Sequence, residues 1–391
     1  MKRLFGTEVS RVFAVLVVLL CAKGIQLAGW TPDGGTTLID TLSSRLLNRE
    51  AREMMTAGYY ESLINESSRV SSMNRLVTGN RRITFQDRSQ PDRRATHDFL
   101  FYEQIPNSDL PDYLDERQRY RRKTNSVGMT DREYTLVKPE GVRRIALMGD
   151  SVTRGQGAPF QENYESFLER KLNEDVVGSS IKGVEILNFA VGSYNATQMM
   201  EAAKVKATPY NPDVYVIALS KLSVYRQWGQ HIALLMNAGI DLKYDYLKTM
   251  AREAGLNPTD PIGVFDAKMA RVRIPTIKWI LSELQAHATS HDAKLVVLLI
   301  PVAEPAKWVN EDFLGVAEMI RDLGIPVVDL LDAFPDGDLP TLRVAANDTH
   351  PNAEGHRRLF ELLYKRIKAD PEVTQILLGP NRDQGPQQAT E

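Results

Sequence analysis

The stretch "RRIALMGDSVTRGQG", residues 143–157, decides how this chain is read. Ile145 to Met148 form an apolar run that stops at Gly149, and Asp150 and Ser151 follow at once. A short apolar run closed by glycine reads as a buried strand, so the Ser151 hydroxyl stands at a strand end. The same pattern recurs downstream. Strand "VEILNFA" leads to helix "NATQMMEAAKVKA", and strand "DVYVIALS" to an insertion over 224–265. Helix "KMARVRIPTIKWILSELQAHATS", strand "KLVVLLIP", helix "NEDFLGVAEMIRDLG", strand "PVVDL" and helix "NAEGHRRLFELLYKRIKA" complete it. Apolar strands alternating with amphipathic helices predict an α/β fold, a parallel sheet with helices on both faces.

Sheets of this kind place their sites outside the carboxyl ends of the strands. Ser151 follows the first such strand. A second stretch, "NDTHPNAEGH" at 347–356, follows the last strand and carries Asp348 and His350. Both pieces therefore fall on one rim. A serine hydroxyl attacks poorly until a base takes its proton. His350 is the candidate base, and Asp348 the carboxylate that fixes its tautomer. Ser151 also opens a turn into a helix, where backbone N–H groups converge on a developing oxyanion.

"GDSV" after one strand, "NFAVGSYN" after the next and the late "DTHPNAEGH" together resemble the SGNH, or GDSL-type, hydrolases over roughly residues 124–368. "TNSVGMTDREYTLVKP", ahead of the first motif, resembles the exported, membrane-anchored branch of that family. The resemblance implies a three-layer α/β/α sandwich with a flavodoxin-like sheet. It implies Ser151 as nucleophile, His350 as base and Asp348 as orienter, with no metal and no organic cofactor. Family members are esterases, lipases, thioesterases and carbohydrate O-deacetylases, so the implied partner is an acylated carbohydrate or a small ester.

The match departs from the family pattern twice. The second block normally has a glycine five residues after its asparagine. Counting from Asn188 reaches Ser193, with Gly192 one residue early. The implied oxyanion hole is therefore the backbone N–H groups of Ser151, Gly192 and Ser193. The third block normally reads Gly-x-Asn-Asp, and its asparagine is a further donor. Here "ALSKLSVYRQ", 218–227, puts Leu222 or Ser223 at that place. Losing one such donor costs about 100- to 1,000-fold in turnover. Ser220, Lys221, Ser223 and Asn195 are the candidate substitutes.

The chain of 391 residues, 43% hydrophobic and 25% charged, is a folded globular composition. Its net charge of −2 gives no general pull toward nucleic acid. The arginine-rich stretch 75–123 is interspersed with acids, as in a solvated surface. One cysteine, Cys21, excludes an intrachain disulfide. Lys2, Arg3 and Arg11 precede the apolar segment 12–30. This reads as a signal anchor, with residues 1–11 cytoplasmic and the body exported. The expected location is a bacterial inner membrane, single-pass, with the body in the periplasm or outside. Residues 31–125 read as an irregular extension, 126–370 as the hydrolase domain and 371–391 as a disordered tail.

The expected function is a serine esterase acting on an O-acyl, acetyl above all, ester. Two alternatives are an acyltransferase using the same serine, and a non-catalytic glycan-binding or scaffold protein with a degenerate oxyanion hole. Trp228, Tyr244 and Tyr246 in the insertion offer either an aromatic sugar platform or ordinary packing. His97, His231, His287, His291 and His356 read as packing or solvated residues.

Overall fold

The computed structural model describes residues 92–113, 119–221, 223–224, 227–260, 262–346 and 348–379. The expected anchor at 12–30 and most of the expected tail lie outside the described residues. Among the described residues no helix is long and apolar enough to cross a membrane.

Four short strands come first: β1 (Arg93–Ala95), β2 (Tyr102–Gln104), β3 (Asp109–Tyr113) and β4 (Arg119–Lys123). They pair antiparallel as β1 with β2 and β3 with β4. The extension is thus more regular over this stretch than its sequence suggests. Cross-strand charge pairs replace apolar alternation: Arg94 with Glu103 at 2.6 Å, and Arg122 with Asp112.

The central sheet contains β5 (Val142–Met148), β6 (Gly183–Asn188), β7 (Val214–Leu219), β8 (Lys294–Leu299) and β9 (Val327–Asp329). Its order is β6-β5-β7-β8-β9, all parallel. This is the 2-1-3-4-5 order of flavodoxin-like folds, and its switch point lies between β5 and its neighbours. Successive strand residues point to opposite faces. Accordingly Ala146, Met148, Ile217 and Val297 join one apolar cluster, while Ile145, Leu147, Val216 and Val296 join the other.

The helices are α1 (Tyr164–Asp175), α2 (Ala196–Ala202), α3 (Gln227–Asn237), α4 (Asp245–Glu253), α5 (Ile262–Ser290), α6 (Ala306–Asp312), α7 (Val316–Asp322), α8 (Ala353–Ala369) and α9 (Pro371–Leu378). Leu168 and Leu172 of α1 and Leu359 and Leu363 of α8 cover one face of the sheet. Met199 of α2, Leu235 of α3, Leu247 of α4 and Ile277 of α5 cover the other. The sequence predicts one helix over 310–324, but two form. Gly315, left-handed at φ 76°, separates α6 from α7. The insertion over 224–265 contributes α3, α4 and the start of α5, which runs through Pro275. Past the expected end of the domain at 370, α9 is ordered. Asp370 caps it, accepting from the N–H groups of Glu372 and Val373.

After β9 the chain forms a small antiparallel ladder, β10 (Arg343–Ala345) with β11 (Asp348–Pro351). Its Pro351 meets the turn that follows Ser151. Gly157 there has φ 94°, and a Cβ at that position would lie 2.1 Å from the Pro351 carbonyl oxygen. Gly157→Ala therefore combines a left-handed backbone with a backbone clash. It should destabilise the protein by about 2–4 kcal/mol in urea unfolding. Unchanged stability would show that the two loops do not pack this way.

Candidate active site

β5 ends at Met148 and the chain turns at once. The Asp150 carbonyl accepts from Arg154 N at 2.8 Å, and the Ser151 carbonyl from Gln156 N at 3.0 Å. These bonds hold Ser151 at the lip of the sheet. Asp348 and His350 sit two apart on β11, so both point to one side of that short strand. Ala303 N donates to the Thr349 carbonyl at 2.8 Å, tying β11 to the end of β8. Asn352 then caps α8, accepting from Gly355 N at 3.1 Å.

These constraints bring Ser151, Asp348 and His350 together. The Ser151 hydroxyl lies 2.7 Å from His350 Nε2, and His350 Nδ1 lies 2.7 Å from Asp348 Oδ1. Asp348 Oδ1 also accepts from the His350 backbone N–H at 3.0 Å. That bond locks the carboxylate against the ring it orients. The three side chains are buried, and Ser151 is only 6% exposed. With Nδ1–H given to Asp348, Nε2 is left as the acceptor for the serine proton.

Gly192 and Ser193 occupy a turn closed by Tyr194 N donating to the Val191 carbonyl at 3.0 Å. Val191 N in turn bonds the Gly149 carbonyl at 3.2 Å, so this turn lies beside the one that carries Ser151. Ser193 is left-handed, φ 66°, in the backbone region that favours glycine. A serine thus fills this place in a backbone conformation that a glycine would take without strain.

The four candidate replacements for the third-block asparagine are all engaged elsewhere. Ser220 donates its hydroxyl to Asp150 Oδ2. The Ser223 hydroxyl donates to the Ser220 carbonyl and accepts from Ser220 N, both at 2.8 Å. Lys221 pairs with Glu304. Asn195 caps α2, accepting from Thr197 N and Gln198 N. Position 222 lies outside the described residues.

Other groups gathered here include Asp150 of the GDSV motif and residues that carry no motif in the sequence. Asp150 is fully buried and burial pushes its carboxyl up, while Ser220 and the Val152 N–H, at 3.0 Å, work against that. The Tyr102 hydroxyl donates to the Gly192 carbonyl at 3.1 Å, and Gln104 Nε2 to the Ala190 carbonyl at 3.4 Å. Both come from the extension. The one available signal was position: Arg154 and Gln156 stand within five residues of Ser151. Tyr244 and Tyr246 of the insertion pack around Trp279, the Tyr246 ring stacked on it at 4.6 Å. They are held by neighbours, and the side chain of Trp228 lies outside the described residues. His356 stacks near Tyr164 and bonds the Gln156 carbonyl at 3.0 Å, with burial pulling it down to about 4. His231 is buried between Thr197 and the Phe99 carbonyl.

The family model for the GDSL-like lipase/acylhydrolase family matches residues 147–358. The chain belongs to that family. It is an ester-hydrolysing enzyme. No curated protein matches it. Among solved structures, this GDSL hydrolase is similar to an acetylxylan esterase from Geobacillus stearothermophilus, at 14% identity over 57% of this chain and 94% of that one, TM-score 0.38. It is similar to a G-D-S-L family lipolytic protein from Desulfitobacterium hafniense, at 12% identity over 57% and 98%, TM-score 0.37. It is also similar to a two-domain esterase active on acetylated mannans, at 12% identity over 58% and 49%, TM-score 0.38. Likenesses this distant carry no argument about substrate.

A buried acidic cluster flanks the second block. Asp131 Oδ2 accepts from Asn188 N at 3.0 Å, and Glu169 Oε2 from Ile186 N at 2.7 Å. Burial, and then the charge of Glu169, push the Asp131 carboxyl above the ordinary carboxylate range. Above that ordinary range the folded protein holds protons that the unfolded chain has lost, so stability falls as pH rises toward and through the raised value. Asp131→Asn cannot ionise. In urea unfolding it should lose about 2 kcal/mol less than wild type between pH 5 and pH 8. Equal losses in the two proteins would refute the assignment.

Proposed function

We propose that this GDSL hydrolase is a serine esterase that removes an O-acyl group, acetyl above all, from an envelope carbohydrate or a small ester through an acyl-enzyme. The observation that carries the reading is the hydrogen-bonded line from Ser151 through His350 to Asp348, with 2.7 Å at each step. A purely binding protein has no need of that alignment.

Ser151 Oγ attacks the ester carbonyl carbon while His350 Nε2 takes its proton. Asp348 holds Nδ1–H and steadies the imidazolium that forms. The carbonyl oxygen becomes an oxyanion that accepts from the N–H of Ser151 and from the Gly192–Ser193 turn. Collapse breaks the bond to the alkoxide, which takes the proton back from His350. A water, deprotonated by His350, then attacks the acyl carbon, and the carboxylic acid leaves with Ser151 restored. The basic residues Lys2, Arg3 and Arg11 ahead of the apolar segment 12–30 support an anchored body on the periplasmic side of a bacterial inner membrane.

Wild-type protein should label with a fluorescent fluorophosphonate and hydrolyse acetyl esters. Ser151→Ala and His350→Ala should lose both. Asp348→Asn, which leaves the ring wrongly held, should lower kcat by about 1,000- to 10,000-fold. Labelling that survives Ser151→Ala, or wild-type protein that is folded and inert, would remove this reading.

A further inference from the structure

We propose that Arg154 is a positioning residue that fixes the Gly192–Ser193 turn against Ser151 and His350. The proposal rests on the esterase reading above. Arg154 lies three residues after Ser151, and its backbone N–H is held by the Asp150 carbonyl at 2.8 Å. Its side chain is 4% exposed.

The guanidinium lies against the oxyanion turn. A Cβ built on Gly192 would stand 3.1 Å from Arg154 Nη1, 3.2 Å from Cζ and 3.4 Å from Nη2. Three nearly equal distances to a planar group mean that this side of Gly192 faces the group directly. Gly192 does not have a positive φ; in this turn it is Ser193 that does. A Cβ at 192 would therefore press on the guanidinium, which would have to give by a few tenths of an ångström.

The same group reaches the base. Arg154 Nη2 donates to Gln156 Oε1 at 2.9 Å, and Gln156 Nε2 lies 3.4 Å from His350 Nδ1. Nδ1 gives its proton to Asp348, so the Gln156 contact packs the ring without donating to it. On its outer side Arg154 Nη1 meets Asp92 Oδ2 at 3.3 Å. Arg93 and Arg122 hold that carboxylate as well. Burial opposes its ionisation, yet Arg93, Arg154 and Arg122 keep the Asp92 carboxyl down at about 2.

The test compares full-length wild type with Arg154→Gln, Arg154→Lys and Gly192→Ala. Arg94→Gln, on an exposed arginine of β1, serves as the control. Two measurements are made: kcat and KM on an acetyl ester, and amide hydrogen exchange over residues 190–194. Arg154→Gln should lower kcat roughly 10- to 100-fold with KM within about threefold, and should speed that exchange. Arg154→Lys should recover part of both. Gly192→Ala, whose methyl pushes the guanidinium from the other side, should repeat the Arg154→Gln pattern and decides the matter if Arg154→Gln does not fold. Unchanged kcat and exchange in these variants would overturn the proposal. So would a fall in kcat with no change in exchange, which assigns the effect to charge alone. Wild type without turnover would remove the esterase reading, and exchange over 190–194 would then decide the positioning role by itself.

Discussion

The hydrogen bond from Ser151 Oγ to His350 Nε2 spans 2.7 Å and joins residues 199 positions apart. Almost everything else in the described structure is a condition for it. The five parallel strands set the rim on which both residues lie. Gly157 lets the turn after Ser151 touch Pro351, the residue next to His350. The bond from Ala303 N to Thr349 fastens β11 to the sheet, and the Asn352 cap starts α8 one residue later. A hydrogen bond of this length tolerates little error, so the loops that meet there are fastened on several sides.

That fastening relies on polar groups buried at a cost. Asp150 is fully buried and takes hydrogen bonds from Ser220 and Val152 N. Arg144, at the other end of β5, is 0% exposed. It donates to Glu185 at 2.6 Å and to the carbonyls of Tyr210, Thr135 and Leu136. Such groups stabilise little in themselves, but each penalises any packing that leaves it unpaired. They select one arrangement of the loops. The extension takes part through Tyr102, Gln104 and Asp92, so the site is not the work of the sheet alone.

Much of this was legible in the residues. Gly149 marks the end of β5, and the late Asp348 and His350 fall on the same rim as Ser151, although the sequence reads them as a loop where the structure has the short strand β11. Alternation of apolar strands with amphipathic helices showed the layered fold. The misses have physical causes. β1 to β4 are held by ion pairs such as Arg122 with Asp112, so no apolar alternation announces them. Gly315 was read as an interior residue of one helix, although its φ of 76° ends that helix. Ser220 and Lys221 stand as candidates for a lost donor because the groups that engage them, Asp150 and Glu304, lie 70 and 83 positions away along the chain.

By itself, then, the sequence determined the class of fold, the rim that carries the site, and the three residues proposed as nucleophile, base and carboxylate. Those depend on local periodicity and on which side chains can do the chemistry. Only the tertiary structure decided which polar groups are already spent on neighbours, that Ser193 takes a left-handed backbone, and that Arg154 lies across Gly192. Those are facts of distance between segments, and no spacing along one strand of chain encodes them.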